Sequence, residues 1–97
     1  MAKKKKKKKT KRRRVNFSIE APDAQVVSLM GDFNQWNEKT HPMKKGADGG
    51  WKKFIMVPPD RYEYRFLVDG QWWNDPANDQ ICSNCFGTVN NILEVPR

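Results

Sequence analysis

The sequence predicts an all-β protein, built as an antiparallel β-sandwich, and three observations carry that prediction. Short apolar stretches alternate with polar residues at a period of two. Clusters of Gly, Pro, Asn and Asp separate them, and no segment repeats its apolar residues at helical spacing. All eleven aromatic residues lie beyond position 14, which gives a domain of about 80 residues enough packing material to fold alone.

The chain opens with MAKKKKKKKTKRRR, eleven positive charges and no negative one. Such a run has nothing to bury and repels itself, so a disordered polybasic tail is expected over residues 1–14, with the folded domain at residues 15–97. From Val15 onward there are eight basic and eleven acidic residues, a net of −3, so the overall charge of +8 belongs to the tail. The run suits an acidic protein, a nucleic acid or an anionic surface, held by attraction without sequence specificity. A solubilising extension without further function is an equal reading. No aromatic interleaves with the lysines, which argues against base stacking by the tail.

The strands follow in order. VNFSIEA puts Val15, Phe17 and Ile19 on one face, and Pro22-Asp23 turns the chain. QVVSLMG is a second apolar strand ending at Gly31. A long loop, DFNQWNEKTHPMKKGADGG, follows. WKKFIMV is a third strand, with Trp51, Lys53, Ile55 and Val57 on one side, and PPD breaks it. RYEYRFLVDG is the cleanest alternation: Tyr62, Tyr64, Phe66 and Val68 face one way and Arg61, Glu63, Arg65 and Leu67 the other. Asp69-Gly70 is a hairpin turn, after which Trp72 and Trp73 return beside that strand. ANDQICSNCFG is a loop, and TVNNILEV the last strand.

Adjacent strand residues point to opposite faces, so Trp72 and Trp73 cannot both enter one core. An indole left outside forgoes burial at about 25 cal/mol per Å². A flat aromatic plate beside Arg and Asn suits a ligand with an apolar face and a hydroxyl-rich rim, and a sugar ring is such an object. The alternative is that both indoles cap the end of the sandwich.

Catalysis fares poorly. The single histidine, His41, sits in a loop before Pro42. No nucleophile elbow or phosphate-binding loop is present, and turn chemistry accounts for Asp69 and Asp75. Cys82 and Cys85 have the spacing of a zinc half-site or a redox pair. A second ligand pair is missing and no helix N-terminus is expected at the thiols. No enzyme activity, metal or cofactor is therefore expected. No apolar run approaches a membrane span, no apolar segment of a secretory signal follows the basic start, and a cytoplasmic location is the expectation.

Three linked motifs, VSLMGDFNQWNE, YRFLVDGQWWNDP and FGTVNNILEV, resemble the glycogen-binding domain of the AMP-activated protein kinase β subunit. They are also similar to the N-terminal modules of isoamylases and glycogen-branching enzymes, carbohydrate-binding module family 48. The resemblance runs from Val15 to Val95. It implies an immunoglobulin-like β-sandwich of the early-set type that binds α-1,4-linked glucans, as in glycogen, starch or maltooligosaccharides, without catalysis. Carried over by position, it implies sugar stacking on Trp36 and Trp72, a basic contact from Arg65, an apolar contact from Phe86 and a hydroxyl contact from Asn90. Arg65 stands where the kinase version has Lys, and keeps the charge. The CSNC loop departs from the kinase version, and Trp73 resembles the bacterial enzyme modules. By alternation Trp72 is the outward indole, sharing a platform with Trp36, and Trp73 turns toward the sandwich. No barrel-length segment follows Val95, so the expectation is a stand-alone module. The alternative is a protein–protein interaction module that uses the same patch without sugar.

Overall fold

The computed structural model describes residues 12–97, so the expected disorder of residues 1–11 lies outside the described residues. The strands are β1 (Arg13–Glu20), β2 (Val27–Gly31), β3 (Lys44–Lys45), β4 (Gly50–Val57), β5 (Asp60–Val68), β6 (Gln71–Trp73), β7 (Ile81–Ser83) and β8 (Val89–Val95), with one 3-10 turn at Asp32–Asn34. They form two antiparallel sheets, β1-β4-β3 and β2-β5-β8-β7, and β6 joins the second sheet by pairing with β5. Among the described residues no helix is long and apolar enough to cross a membrane.

The expected faces are the observed ones. Phe17 and Ile19 of β1, Trp51, Ile55 and Val57 of β4, and Tyr64, Phe66 and Val68 of β5 are all buried between the sheets, with Val27 and Leu29 of β2. Register explains the agreement: Leu29 stands opposite Phe66 and Val27 opposite Val68, so each pair shares the inner face. Trp51 is buried with its indole N–H donated to the Ala21 carbonyl at 2.9 Å, which satisfies the one polar atom that burial would strand.

Three features depart from the expected pattern. β1 begins at Arg13, so Arg13 and Arg14, basic-run residues by composition, are strand residues paired with Val57 and Met56. The long loop contains β3, and residues 41–43 run beside β2: Leu29 donates its amide to the His41 carbonyl, and Met43 to that of Val27. The segment thus passes from the edge of one sheet to the edge of the other. The CSNC loop contains β7, paired with β8.

The hairpin after β5 is a turn with two left-handed residues, Asp69 (φ 48°) and Gly70 (φ 83°), as two-residue antiparallel loops require. Asp69 has a second task. Its carboxylate accepts the amides of Gln25 and Val26, which ties the entry of β2 to the turn. Gly31 closes β2 for a steric reason, since a Cβ there would stand 2.8 Å from the Glu63 carbonyl oxygen and 2.6 Å from the Phe33 ring.

Asn91 is fully buried, facing the core from β8. Its Oδ1 accepts the Asp75 amide at 2.7 Å and the Asn74 side-chain amide at 3.2 Å, while its Nδ2 donates to the Asn78 carbonyl at 2.9 Å. Tyr64 extends the network, donating its hydroxyl to the Asp75 carboxylate and accepting from Asn78. Burial and the Asp75 carboxylate push the Tyr64 phenol far above its ordinary range. Residues 74–78, which follow β6, are thereby sewn to β5 and β8. Asn91→Leu would strand these partners in the interior and is expected to destabilise the protein by about 2–4 kcal/mol, seen as a thermal midpoint lower by about 10 °C or more.

Candidate carbohydrate-binding site

The outer face of the five-stranded sheet bears Glu63, Arg65 and Leu67 from β5, opposite to its core residues. Pairing adds Met30 from β2 opposite Arg65, Trp72 from β6 opposite Leu67, and Asn90 from β8 opposite Cys82. Two loops rise beside this face. One runs from the 3-10 turn through Trp36, and the other is the tight segment 84–88 between β7 and β8. Between them lies an open groove of about 820 Å³. Trp36, Arg65, Trp72, Phe86 and Asn90, all five residues singled out in the sequence, line it together.

Trp36 reaches the groove through unusual backbone. Gln35 and Trp36 both occupy the left-handed region, at φ 55° and 58°, a conformation costing about 1 kcal/mol or more for each residue with a Cβ. Two bonds hold it: the Trp36 amide donates to the Gly31 carbonyl at 2.9 Å, and its indole N–H to the Asp32 carboxylate at 3.0 Å. The other oxygen of that carboxylate accepts the Glu63 amide at 2.8 Å. Asp32 thus anchors the Trp36 ring to β5. The 3-10 turn itself is braced by Asn34, which is buried, accepts the Gly31 amide and donates to the Leu29 carbonyl and to His41 Nδ1. Desolvation, aided by Lys53, holds His41 below its ordinary pKa, and the ring serves as an acceptor in a brace.

The Trp36 and Trp72 ring centres are 6.0 Å apart with planes inclined at 66°. They therefore form a bent aromatic surface. Trp72 is 46 % exposed. Trp73 stands opposite Phe66, on the inner side as alternation requires, yet it remains 38 % exposed and outside the core cluster. β6 is three residues long and lies at the end of the sandwich, so inward direction does not bring burial. Met30 shows the converse. It points outward from β2 but is buried, beside the Trp36–Lys39 segment and Leu67.

The Arg65 guanidinium lies 5.3 Å from the centre of the Trp72 ring and donates to the Thr88 hydroxyl at 3.2 Å. Desolvation lowers its pKa, and its buried Nε finds no acceptor among the described residues. Phe86, at 85 % exposed, projects almost entirely into solvent at the groove. Asn90 is different: buried at the floor, it donates to the Glu63 carboxylate at 3.0 Å and accepts from Asn84 at 3.1 Å. An amide has two N–H groups and two lone pairs, so one of each remains for a ligand.

Asn84 was not singled out in the sequence, and it shapes the second loop. Its Oδ1 accepts the amides of Phe86 and Thr88, and its Nδ2 donates to the Thr88 hydroxyl and to Asn90. The signal was present as an Asn in a loop stretch, Asn84-Cys85-Phe86-Gly87, whose side chain can accept the amide two residues on in an Asx turn. Glu63 was likewise missed. It accepts from Asn90 and pairs with Arg61 at 3.1 Å, and the Asn90 hydrogen bond is the main reason its carboxyl titrates below the ordinary value. Cys85 lines the groove, while desolvation and the Glu63 charge push the Cys82 thiol up, which disfavours its thiolate. Both cysteines are free, and among the described residues no group of three His, Cys, Asp or Glu side chains could hold a metal ion.

The family model for the glycogen recognition site of AMP-activated protein kinase matches residues 14–97. The chain belongs to that family. It is thus a carbohydrate-binding module, a non-catalytic kind of domain, and its sandwich is that module. It is 48 % identical over 59 residues to a 1,4-alpha-glucan branching enzyme GlgB of Novosphingobium aromaticivorans, covering 60 % of this chain and 8 % of that protein. It is 37 % identical over 71 residues to a 5'-AMP-activated protein kinase subunit beta-1 of Sus scrofa, covering 73 % of this chain and 55 % of that one. Against the beta-2 subunit of Homo sapiens the identity is 34 % over 71 residues, a quarter (25 %) of that protein. The module therefore spans only part of the length of each of these relatives.

The lowered Glu63 pKa has a testable consequence. A carboxyl depressed on folding contributes stability above its unfolded value, and loses it as pH falls through the lower folded value. The stability difference between wild type and Glu63→Gln is expected to stay constant from neutral pH down to the ordinary glutamate range, near about pH 4.3, and to close below it. Thermal melts over a pH series measure this.

Proposed function

We propose that the module binds α-1,4-linked glucans of the glycogen and starch type in the groove over the outer face of the five-stranded sheet. The observation that carries the reading is the convergence of Trp36, Trp72 and Phe86, from three separate segments, on one groove rimmed by hydrogen-bonding groups. Membership of a glycogen-recognition family supports the same ligand class.

The chemistry follows from the shape of the sugar. A glucose ring presents C–H bonds on its faces and hydroxyls around its edge. The faces lie against Trp36 and Trp72, and the hydroxyls meet Arg65, Asn90 and the polar rim. Consecutive rings in an α-1,4-linked chain are not coplanar, so a pair of indoles inclined at 66° follows that chain better than a flat plate would. Phe86 supplies an apolar contact from the opposite wall. Arg65, whose guanidinium is partly desolvated over Trp72, has donors left for hydroxyls and no proton to transfer in the neutral range, which suits recognition without catalysis. The groove is open, so one short oligosaccharide is held weakly and a branched polymer is held through many contacts.

Native gels cast with and without glycogen test the reading. The wild type is expected to be retarded by glycogen. Trp72→Ala and Trp36→Ala are each expected to lose about 2 kcal/mol of binding, roughly 30-fold, and to migrate nearly as in the glycogen-free gel. Asp32→Ala is expected to share the Trp36 defect while keeping the fold, because it frees that indole. Wild-type mobility unchanged by glycogen contradicts the proposal and favours a protein-docking role for the patch.

A further inference from the structure

The outer face of the other sheet, β1-β4-β3, is unlike the glucan groove. Its outward residues are Arg14, Asn16, Ser18 and Glu20 from β1, Lys52, Phe54 and Met56 from β4, and Lys44 from β3. Arg14, Asn16, Ser18, Lys44, Lys52 and Phe54 line a second groove there, about 540 Å³. Phe54 and Met56 are half exposed. The Arg14 guanidinium lies 4.1 Å from the centre of the Phe54 ring, an exposed cation–aromatic stack.

Lys44 and Lys52 are direct cross-strand partners on this face. Like charges directly opposed across a ladder are unfavourable, and among the described residues the one ion pair is Arg61–Glu63, on the other sheet. At one end the carboxylates of Glu20 and Asp48 both lie over Gly50, and neither forms an ion pair with Lys52. Arg14, Lys44 and Lys52 thus outnumber Glu20 among the outward side chains, and none of the three cations forms an ion pair among the described residues. In sequence β1 begins inside the basic run, whose last two residues are Arg13 and Arg14.

We propose that this groove binds single-stranded nucleic acid. Phosphates sit between Lys44 and Lys52 and relieve their mutual repulsion. A base stacks on the Arg14–Phe54 pair, and Asn16 and Ser18 offer hydrogen bonds to base edges. The basic run raises the local concentration of polyanion but has no aromatic residue, and the groove supplies the stacking surface that the run lacks. A lipid surface fits less well: the groove carries the exposed hydrogen-bonding side chains of Asn16 and Ser18, and the Phe54 ring is already covered by a guanidinium. The groove and the glucan site lie on outward faces of different sheets, so this inference stands independently of the carbohydrate reading.

Fluorescence anisotropy of the full chain with a labelled oligothymidylate of ~12 nucleotides, over a salt series from about 50 to about 200 mM, tests it. Phe54→Ser is expected to weaken binding about tenfold at unchanged salt dependence. Lys44→Ala with Lys52→Ala is expected to reduce the slope of log K against log salt by roughly 1.4, the value for two lost phosphate contacts on a single strand. Thermal midpoints close to wild type show that the variants fold. Affinities and slopes equal to wild type would overturn the proposal, because the basic run would then supply all the attraction. So would variants that lose binding to phosphatidylserine vesicles but keep oligonucleotide binding.

Discussion

The alternation of one strand, β5, organises this molecule. Tyr64, Phe66 and Val68 enter the core while Glu63, Arg65 and Leu67 face the groove, and three other strands take their register from it. A slip by one residue would exchange the two sets, placing a carboxylate and a guanidinium in the interior and three apolar side chains outside. The packing that selects the fold therefore also selects the site. No separate energetic device is needed to bring Arg65 beside Trp72, because burial of Phe66 determines where its neighbour points.

Polar groups hold the segments that carry the aromatic side chains of the groove. Asp32 connects the Trp36 indole to the backbone of β5, Asn84 closes the loop behind Phe86, and Asn91 fastens the segment that follows Trp72. Each of the three aromatic contributors thus has its own short hydrogen-bonded support. Ordering them in advance matters for the proposed sugar binding in so open a groove, since side chains frozen only on binding subtract from affinity. The left-handed pair Gln35-Trp36 fits that picture: the strain is local, at the site, and the Asp32 and Gly31 bonds hold it.

Much of this was legible in the sequence where period-two patterning was long enough to speak. The core faces of β1, β4 and β5 and the turn at Asp69-Gly70 follow from alternation and turn chemistry alone. The motifs placed Trp36, Arg65, Trp72, Phe86 and Asn90, which the fold brings to one groove. The short edge strands β3 and β7 were not legible, because two or three residues carry no period and their pairing is decided by the neighbouring strand. The supports were also hidden. Asn91, Asn84 and Glu63 look like ordinary polar residues until the strands around them are assembled, and the burial of Met30 depends on a loop folding back over the face to which it points. Arg14 read as part of a charge run until its pairing with Met56 placed it over Phe54.

The two sheets thus present different outward faces, one with paired indoles and amide side chains, the other with more cations than carboxylates. The central claim concerns the first, and the four tryptophans provide internal controls for it. A titration of the ¹⁵N-labelled protein with maltoheptaose, followed at the four indole N–H resonances, tests it most directly. The account predicts that Trp36 and Trp72 shift together and saturably, while Trp51, held in the core on the Ala21 carbonyl, and Trp73, off the groove, stay in place. Resonances of Trp36 and Trp72 that do not move at saturating sugar, or move less than those of Trp51 and Trp73, would contradict it.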